Sequence, residues 1–306
     1  MSLPEAFRGR LSLPAVAAPM FLVSGPDLVV EACRAGVLGT FPALNQRTSE
    51  GYDRWLCEIE ERLAAAPGAA PFGINLIVHK SNPRVAADLK ITVAHKVPLV
   101  ITSLGANTDV IDAVHSYGGH VFHDVTNIRH AEKAAAAGVD GLIAVCAGAG
   151  GHAGTISPFA LVSEIRAMFD KTILLSGVIS NGAQIAASLL MGADLAYLGT
   201  RFIATRESLA QDAFKQMIVE AHARDIVYTP AISGVHGSFL RESLVRAGLD
   251  PDNMPPAPQV NMEHEKRAWK DVWSAGQGVG IIHDIPSVAE LCARLAREYD
   301  EAIAEL

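Results

Sequence analysis

His152 sits in Ala147-Gly-Ala-Gly-Gly-His-Ala-Gly154, where glycine and alanine leave the imidazole with little side-chain company. Histidine titrates nearer neutrality than other side chains, so it suits taking or giving a proton. A small-residue backbone around one ring suits a group that must face a flat ligand closely. The plain alternative is a loop histidine in solvent. Two polar residues interrupt apolar runs: Asn75 within Phe72–Ile77 and Asp124 at the end of His120–Val125. A buried amide must pair, and either a ligand ring edge or a neighbouring loop would serve. Glycine marks two further stretches, Ser176-Gly177-Val178 and Leu198-Gly199-Thr200. Such glycines let backbone approach phosphate oxygens, free amides at the next helix start would add donors, and Thr200 would add a hydroxyl. They also serve simply as tight turns. Pro19-Met20 could lay backbone against a ring.

The remaining histidines carry weaker signals. His79, His95, His115, His130 and His222 read as surface or helix residues, and His120 and His123 as core or rim. His236, in Ser233-Gly-Val-His-Gly-Ser238, is a second candidate site group. No His-Glu-x-x-His pattern or carboxylate cluster argues for a metal, and none is expected. Cys33, Cys57, Cys146 and Cys292 form no Cys-x-x-Cys pair and read as buried thiols of a reducing compartment.

These residues need elements to hold them. Eight short apolar runs recur: Ala15–Met20, Val37–Pro42, Phe72–Ile77, Leu99–Leu104, His120–Val125, Gly141–Cys146, Thr172–Gly177 and Leu195–Thr200. Continuous rather than alternating apolar runs suit parallel strands covered on both faces. Helical stretches separate them at Asp27–Ala35, Pro83–Lys96, Asp109–Ser116, Ile128–Ala137, Pro158–Phe169 and Asn181–Met191, while Ala64–Ala70 reads as a loop. Eight such units predict a (β/α)₈ barrel, in which His152 follows strand six and the two glycine stretches end strands seven and eight. An open doubly wound sheet is the rival, but it would want a Gly-rich turn after strand one, where Phe21-Leu-Val-Ser-Gly-Pro26 stands. The rhythm breaks after Thr200. We expect a barrel of residues 1–204 plus 281–306, and a small, mostly helical subdomain or lid at 205–280. The lid would hold a helix at Ser208–Arg224 and a proline-rich piece at Pro251–Pro258.

The chain has 306 residues, 50% of them hydrophobic, and a formal charge of −8. That suits one large globular unit and argues against nucleic acid or an anionic membrane as partner. No leader peptide and no run of about 20 apolar residues is evident, so the expected location is the cytoplasm. Homo-oligomerisation is left open.

Six stretches together resemble the nitronate monooxygenase (2-nitropropane dioxygenase) family: Ala17-Ala-Pro-Met20, Gly73-Ile-Asn-Leu76, Ala149-Gly-Gly-His-Ala-Gly154, Ser176-Gly177, Leu198-Gly-Thr-Arg-Phe202 and Trp273-Ser-Ala-Gly-Gln-Gly278. The resemblance spans nearly the whole chain and implies an FMN-dependent barrel enzyme. It would oxidise alkyl nitronates or nitroalkanes with O₂ to carbonyl compounds and nitrite. It implies the FMN phosphate on Gly177-Val178 and Gly199-Thr200, near Ser176. Pro19, Met20 and Asn75 would contact the ring or ribityl chain, and Gly150 and Gly151 would border the flavin. Asp124 stands where some relatives carry lysine; a lysine favours anionic flavin states and an aspartate does not. His152 would take the α-proton of a nitroalkane or orient the nitronate. Related FMN barrels include NAD(P)H-dependent quinone reductases and enoyl-ACP reductases, and that alternative stays open.

Overall fold

The computed structural model describes residues 2–79, 81–259 and 271–305. Its strands are β1 (Ala15–Ala17), β2 (Leu38–Pro42), β3 (Gly73–Ile77), β4 (Leu99–Ser103), β5 (His120–Val125), β6 (Gly141–Val145), β7 (Gly151–His152), β8 (Thr172–Ser176), β9 (Leu195–Leu198), β10 (Ile226–Thr229) and β11 (Gly237–Leu240). Eight of them close into a parallel barrel in the order β1-β2-β3-β4-β5-β6-β8-β9, with β9 pairing back to β1 through Ala17 and Leu198. The chain therefore has the expected (β/α)₈ fold. Each of the eight strands lies within one of the apolar runs.

Helices α1 (Pro26–Arg34), α2 (Ser49–Ala64), α3 (Val85–Ala94), α4 (Thr108–His115), α5 (Ile128–Ala136), α6 (Pro158–Met168) and α7 (Gly182–Leu190) wrap the outside. The C-terminal helix Val288–Ala304 completes the ring, packing on α7 and α1. Helix starts follow local chemistry. Asn107, Asn127 and Asn181 each accept a backbone N–H of the first turn, and Ser287 and Glu290 form a reciprocal capping box.

Side chains alternate between the barrel interior and the helix layer. Val16, Leu38, Leu99, Ile101, Phe122, Ile143, Leu174, Leu195 and Tyr197 fill the inside, whereas Ile74, Val100, Val121, Leu142 and Ile173 pack under the helices. The same alternation sends Asn75, Ser103, Asp124 and Ser176, near the carboxyl ends, inward. At the opposite end the N-terminal segment forms a plug. Phe7 is fully buried with its ring edge-on to Phe122 at 6.1 Å, and the Thr172 hydroxyl donates to Ser2 O at 2.5 Å.

The segment after β9, expected as a mostly helical lid, holds both helices and strands among its described residues. It contains helices Asp212–Glu220 and Arg241–Arg246, but also the antiparallel hairpin β10–β11. That hairpin captures β7, pairing Gly237 with His152 and Ser238 with Gly151 to make a three-stranded sheet. Residues 260–270 of the expected lid lie outside the described residues. Among the described residues no helix is long and apolar enough to cross a membrane.

Candidate functional site

A cavity of about 900 Å³ opens at the carboxyl ends of the strands, within the size range of cofactor and small-ligand sites. It brings together twelve of the thirteen sequence candidates, all but His236: Pro19, Met20, Asn75, Asp124, Gly150, Gly151, His152, Ser176, Gly177, Val178, Gly199 and Thr200.

The wall above β3, β4 and β5 is made of side chains. Asn75 Nδ2 donates to Ile101 O at 3.2 Å and to Ser103 Oγ at 2.8 Å. Ser103 Oγ in turn donates to Asp124 Oδ2 at 2.5 Å. Both amide protons of Asn75 are thereby spent within the protein, leaving its oxygen as the group a ligand can use. Asp124 Oδ1 is buried without a hydrogen-bond partner among the described residues, and burial pushes the carboxyl up to about 6 against the Ser103 bond. His123 is also buried on this wall, its Nδ1 2.7 Å from Thr102 Oγ1, and burial pulls it down to about 4.

The opposite wall is made of backbone. Gln277 N donates to Gly148 O at 2.8 Å, Gly276 N to Thr200 Oγ1 at 2.9 Å, and Gly151 N to Ser274 Oγ at 2.6 Å. The Trp273–Gly278 stretch is thus stitched between the loop after β6 and the end of β9. The approach is too close for side chains: a Cβ on Gly276 would fall 2.6 Å from Gly148 O, and one on Gly150 2.8 Å from Gly276 N. Thr200 Oγ1 accepts from Gly276 and keeps its proton for another acceptor. Ser180 Oγ, buried in the same wall, has no partner among the described residues.

At the start of α7 two amides are already engaged within the protein. Gly182 N donates to Glu298 Oε2 at 2.8 Å and Gln184 N to Asn181 Oδ1 at 2.8 Å, so these donors dock the C-terminal helix and cap α7. Arg201 also turns away from the cavity, binding Asp284 Oδ1 at 2.8 Å.

His152 stands between the walls, on β7. Its Nε2 lies 3.1 Å from Ser233 Oγ. That hydroxyl donates to Val235 O at 3.1 Å, so it accepts from the imidazole Nε2–H. Burial pulls His152 down to about 4, keeping the ring neutral at neutral pH. Three non-glycine residues on the cavity wall, Leu22, Leu104 and Val178, hold positive φ near 60°. Such backbone costs about 1–3 kcal/mol per residue and clusters at functional sites.

Sequence reasoning missed Ser103, Ser180, Ser233 and Ser274, and of the strained trio it named Val178 but not Leu22 or Leu104. His79 and His130, expected on the surface or on helices, line the cavity. His236 does not; its ring stacks on Tyr228 at 5.1 Å, and the Tyr228 hydroxyl donates to Ala153 O at 2.8 Å. Cys57 is exposed rather than buried.

The site fits a flavin on these observations: the cavity volume, the side-chain-free loops, and two orphaned polar atoms, Asp124 Oδ1 and Ser180 Oγ, for a ligand to satisfy.

Comparison with known proteins adds a family. A family model described as nitronate monooxygenase matches residues 9–298. A nitronate monooxygenase of Paraburkholderia phytofirmans is 27% identical, over 96% of this chain and 94% of its own length. The crystal structure of a nitroalkane oxidase from Streptomyces ansochromogenes superposes with a TM-score of 0.86 at 26% identity, covering 99% of this chain and 100% of that one. FabK from Thermotoga maritima superposes at 0.80 with 25% identity, over 96% of this chain and 95% of that one.

Proposed function

Because the chain belongs to the nitronate monooxygenase family and is a flavin-dependent oxidoreductase, we propose that it binds FMN in the cavity and oxidises alkyl nitronates or nitroalkanes with O₂ to carbonyl compounds and nitrite. The observation that carries this reading is a neutral, oriented imidazole on the wall of a cavity large enough for a cofactor and a small substrate. FMN, when bound, supplies the electron acceptor for the carbon acid and the route of electrons to O₂.

The protein's part is position and proton control. Gly150, Gly151, Gly177 and Gly199 leave room for the cofactor. The Thr200 and Ser180 hydroxyls would donate to its phosphate, and Pro19 and Met20 would border the ring. Asn75 and Asp124 hold the ring's polar edge; the orphaned Asp124 oxygen gains a partner there. His152 takes the α-proton of a neutral nitroalkane, or orients a nitronate that arrives already ionised. Ser233 holds the ring of His152 in place. We place the activity in the cytoplasm, consistent with four unpaired cysteines.

The test is anaerobic stopped-flow mixing of the flavin-loaded enzyme with propionate 3-nitronate and, separately, with NADH and NADPH. Bleaching of the flavin by the nitronate, with nitrite release when O₂ is admitted, is the expected result. Rapid bleaching by NADH or NADPH with none by the nitronate would instead assign a reductase and overturn the reading.

A further inference from the structure

We propose that Asp53, Cys57 and His95 form a binding site for a zinc-class divalent cation on the outer wall of the barrel, with Glu60 orienting the histidine. Asp53, Cys57 and Glu60 recur at i, i+4 and i+7 along α2 and so share one helix face. His95 is the C-cap of α3, which packs beside α2. One ligand atom each from Asp53, Cys57 and His95 lies within 4.8 Å of the other two. Tetrahedral zinc with bonds of about 2.0–2.3 Å needs its ligand atoms roughly 3.3–3.8 Å apart. The gap is a side-chain adjustment, and Asp53 and Cys57 are exposed enough to make it.

Glu60 turns this cluster into a prepared site. His95 Nδ1 lies 3.0 Å from Glu60 Oε2, while Nε2 lies 2.9 Å from Asp53 Oδ1. The Nδ1–H donated to Glu60 fixes the ring, and Nε2 faces Asp53. That is the carboxylate–histidine–metal arrangement by which zinc sites orient their imidazole. Binding displaces the Cys57 thiol proton and the proton between Nε2 and Asp53 to solvent. One thiolate, one neutral imidazole and one carboxylate leave two negative charges for a dication, with water in the fourth position. This donor set suits zinc over magnesium or calcium, which want oxygen alone. None of the three residues lines the cavity at the barrel mouth, so the site is separate from the flavin site. A bound ion ties α2 to α3.

The experiment uses the flavin-loaded enzyme after chelator treatment, titrated with Co²⁺. Tetrahedral Co²⁺ with a thiolate ligand absorbs strongly at longer wavelengths than oxidised flavin, and we expect that band to saturate at one ion per chain. Zn²⁺ then abolishes the band, and Zn²⁺ protects Cys57 from iodoacetamide, read by peptide mass spectrometry. Cys57→Ser and His95→Gln lose the band while keeping the flavin spectrum and far-UV circular dichroism. Glu60→Gln keeps the band but weakens affinity about 10–100-fold. Absence of the band, or a band that survives Cys57→Ser, overturns the proposal, as does alkylation of Cys57 at the same rate with and without Zn²⁺.

Discussion

The two walls of the cavity are built in different materials. Over β3, β4 and β5 the wall is a chain of polar side chains, Asn75–Ser103–Asp124, with His123 behind it. Over β6, β8 and β9 it is backbone, laced by the 273–278 stretch and open only to glycine at its tightest points. Substitutions on the first wall change charge and hydrogen bonding at nearly constant shape. Substitutions on the second change shape first. His152 belongs to the backbone wall by connectivity, yet it carries the titratable function of a side-chain wall.

The largest expected effect is therefore on His152. His152→Ala should lower turnover on a neutral nitroalkane by about 10²–10⁴-fold while flavin content holds, checked by steady-state kinetics and the visible spectrum. Equal loss of flavin and activity would make His152 a wall residue only. Next comes Gly276→Ala. Its Cβ would meet Gly148 O at 2.6 Å and Gly150 N at 2.8 Å, both backbone atoms. An overpacking loss of about 1–3 kcal/mol in stability, with a lowered flavin-to-protein ratio, should follow in thermal melts and absorbance. A smaller effect is expected for Ser233→Ala. Removing one hydrogen bond to His152 should lower kcat/KM by at most about tenfold and shift the acidic limb of its pH profile.

The finest test sets the walls against each other through pH. Asp124 has its folded-state pKa raised from 3.8 to about 6, so the folded protein holds that proton more tightly. Its contribution to stability is greatest below the unfolded value and is lost as pH rises to about 6. His152 has its value lowered from 6.5 to about 4, so stability is present above 6.5 and lost as pH falls toward 4. The two slopes oppose each other across the same window. Asp124→Asn should steepen the rise of stability from pH 4 to 6.5, and His152→Gln should flatten it, with the buried His123 still contributing a rise, measured by urea melts across that range. Slopes unchanged in both variants would mean that neither burial operates in the folded protein.

The barrel was legible because its strands are buried on both faces and write themselves as continuous apolar runs. Asn75 and Asp124 were legible for the same reason: a polar residue inside such a run is conspicuous. Ser103 was not, since a serine ending a run looks like the start of a loop. Helix α2 was hidden because its buried Tyr52, Leu56 and Ile59 are diluted by charged neighbours. The bonds that stitch the backbone wall join residues far apart, 123 positions in the case of Gly151 and Ser274, and nothing local announces them. Ser233, 81 positions from His152, is the same case. The hairpin β10–β11 escaped because its pairing with β7 is a tertiary event. The positive φ of Leu22, Leu104 and Val178 runs against the preference of those residue types, so no sequence rule predicts it. The Asp53–Cys57–His95 cluster was invisible because its histidine comes from the next helix.

The N-terminal plug has a kinetic meaning. With Phe7 packed against Phe122 and Ser2 bonded to the first residue of β8, the amino-terminal end of the barrel is sealed. Among the described residues, the cavity is therefore reached from the carboxyl-end side of the barrel. On the proposed reaction, a bulky product would have to depart before another bulky reactant could enter, so alternating occupancy and slowing by excess organic substrate are the expected kinetic signature.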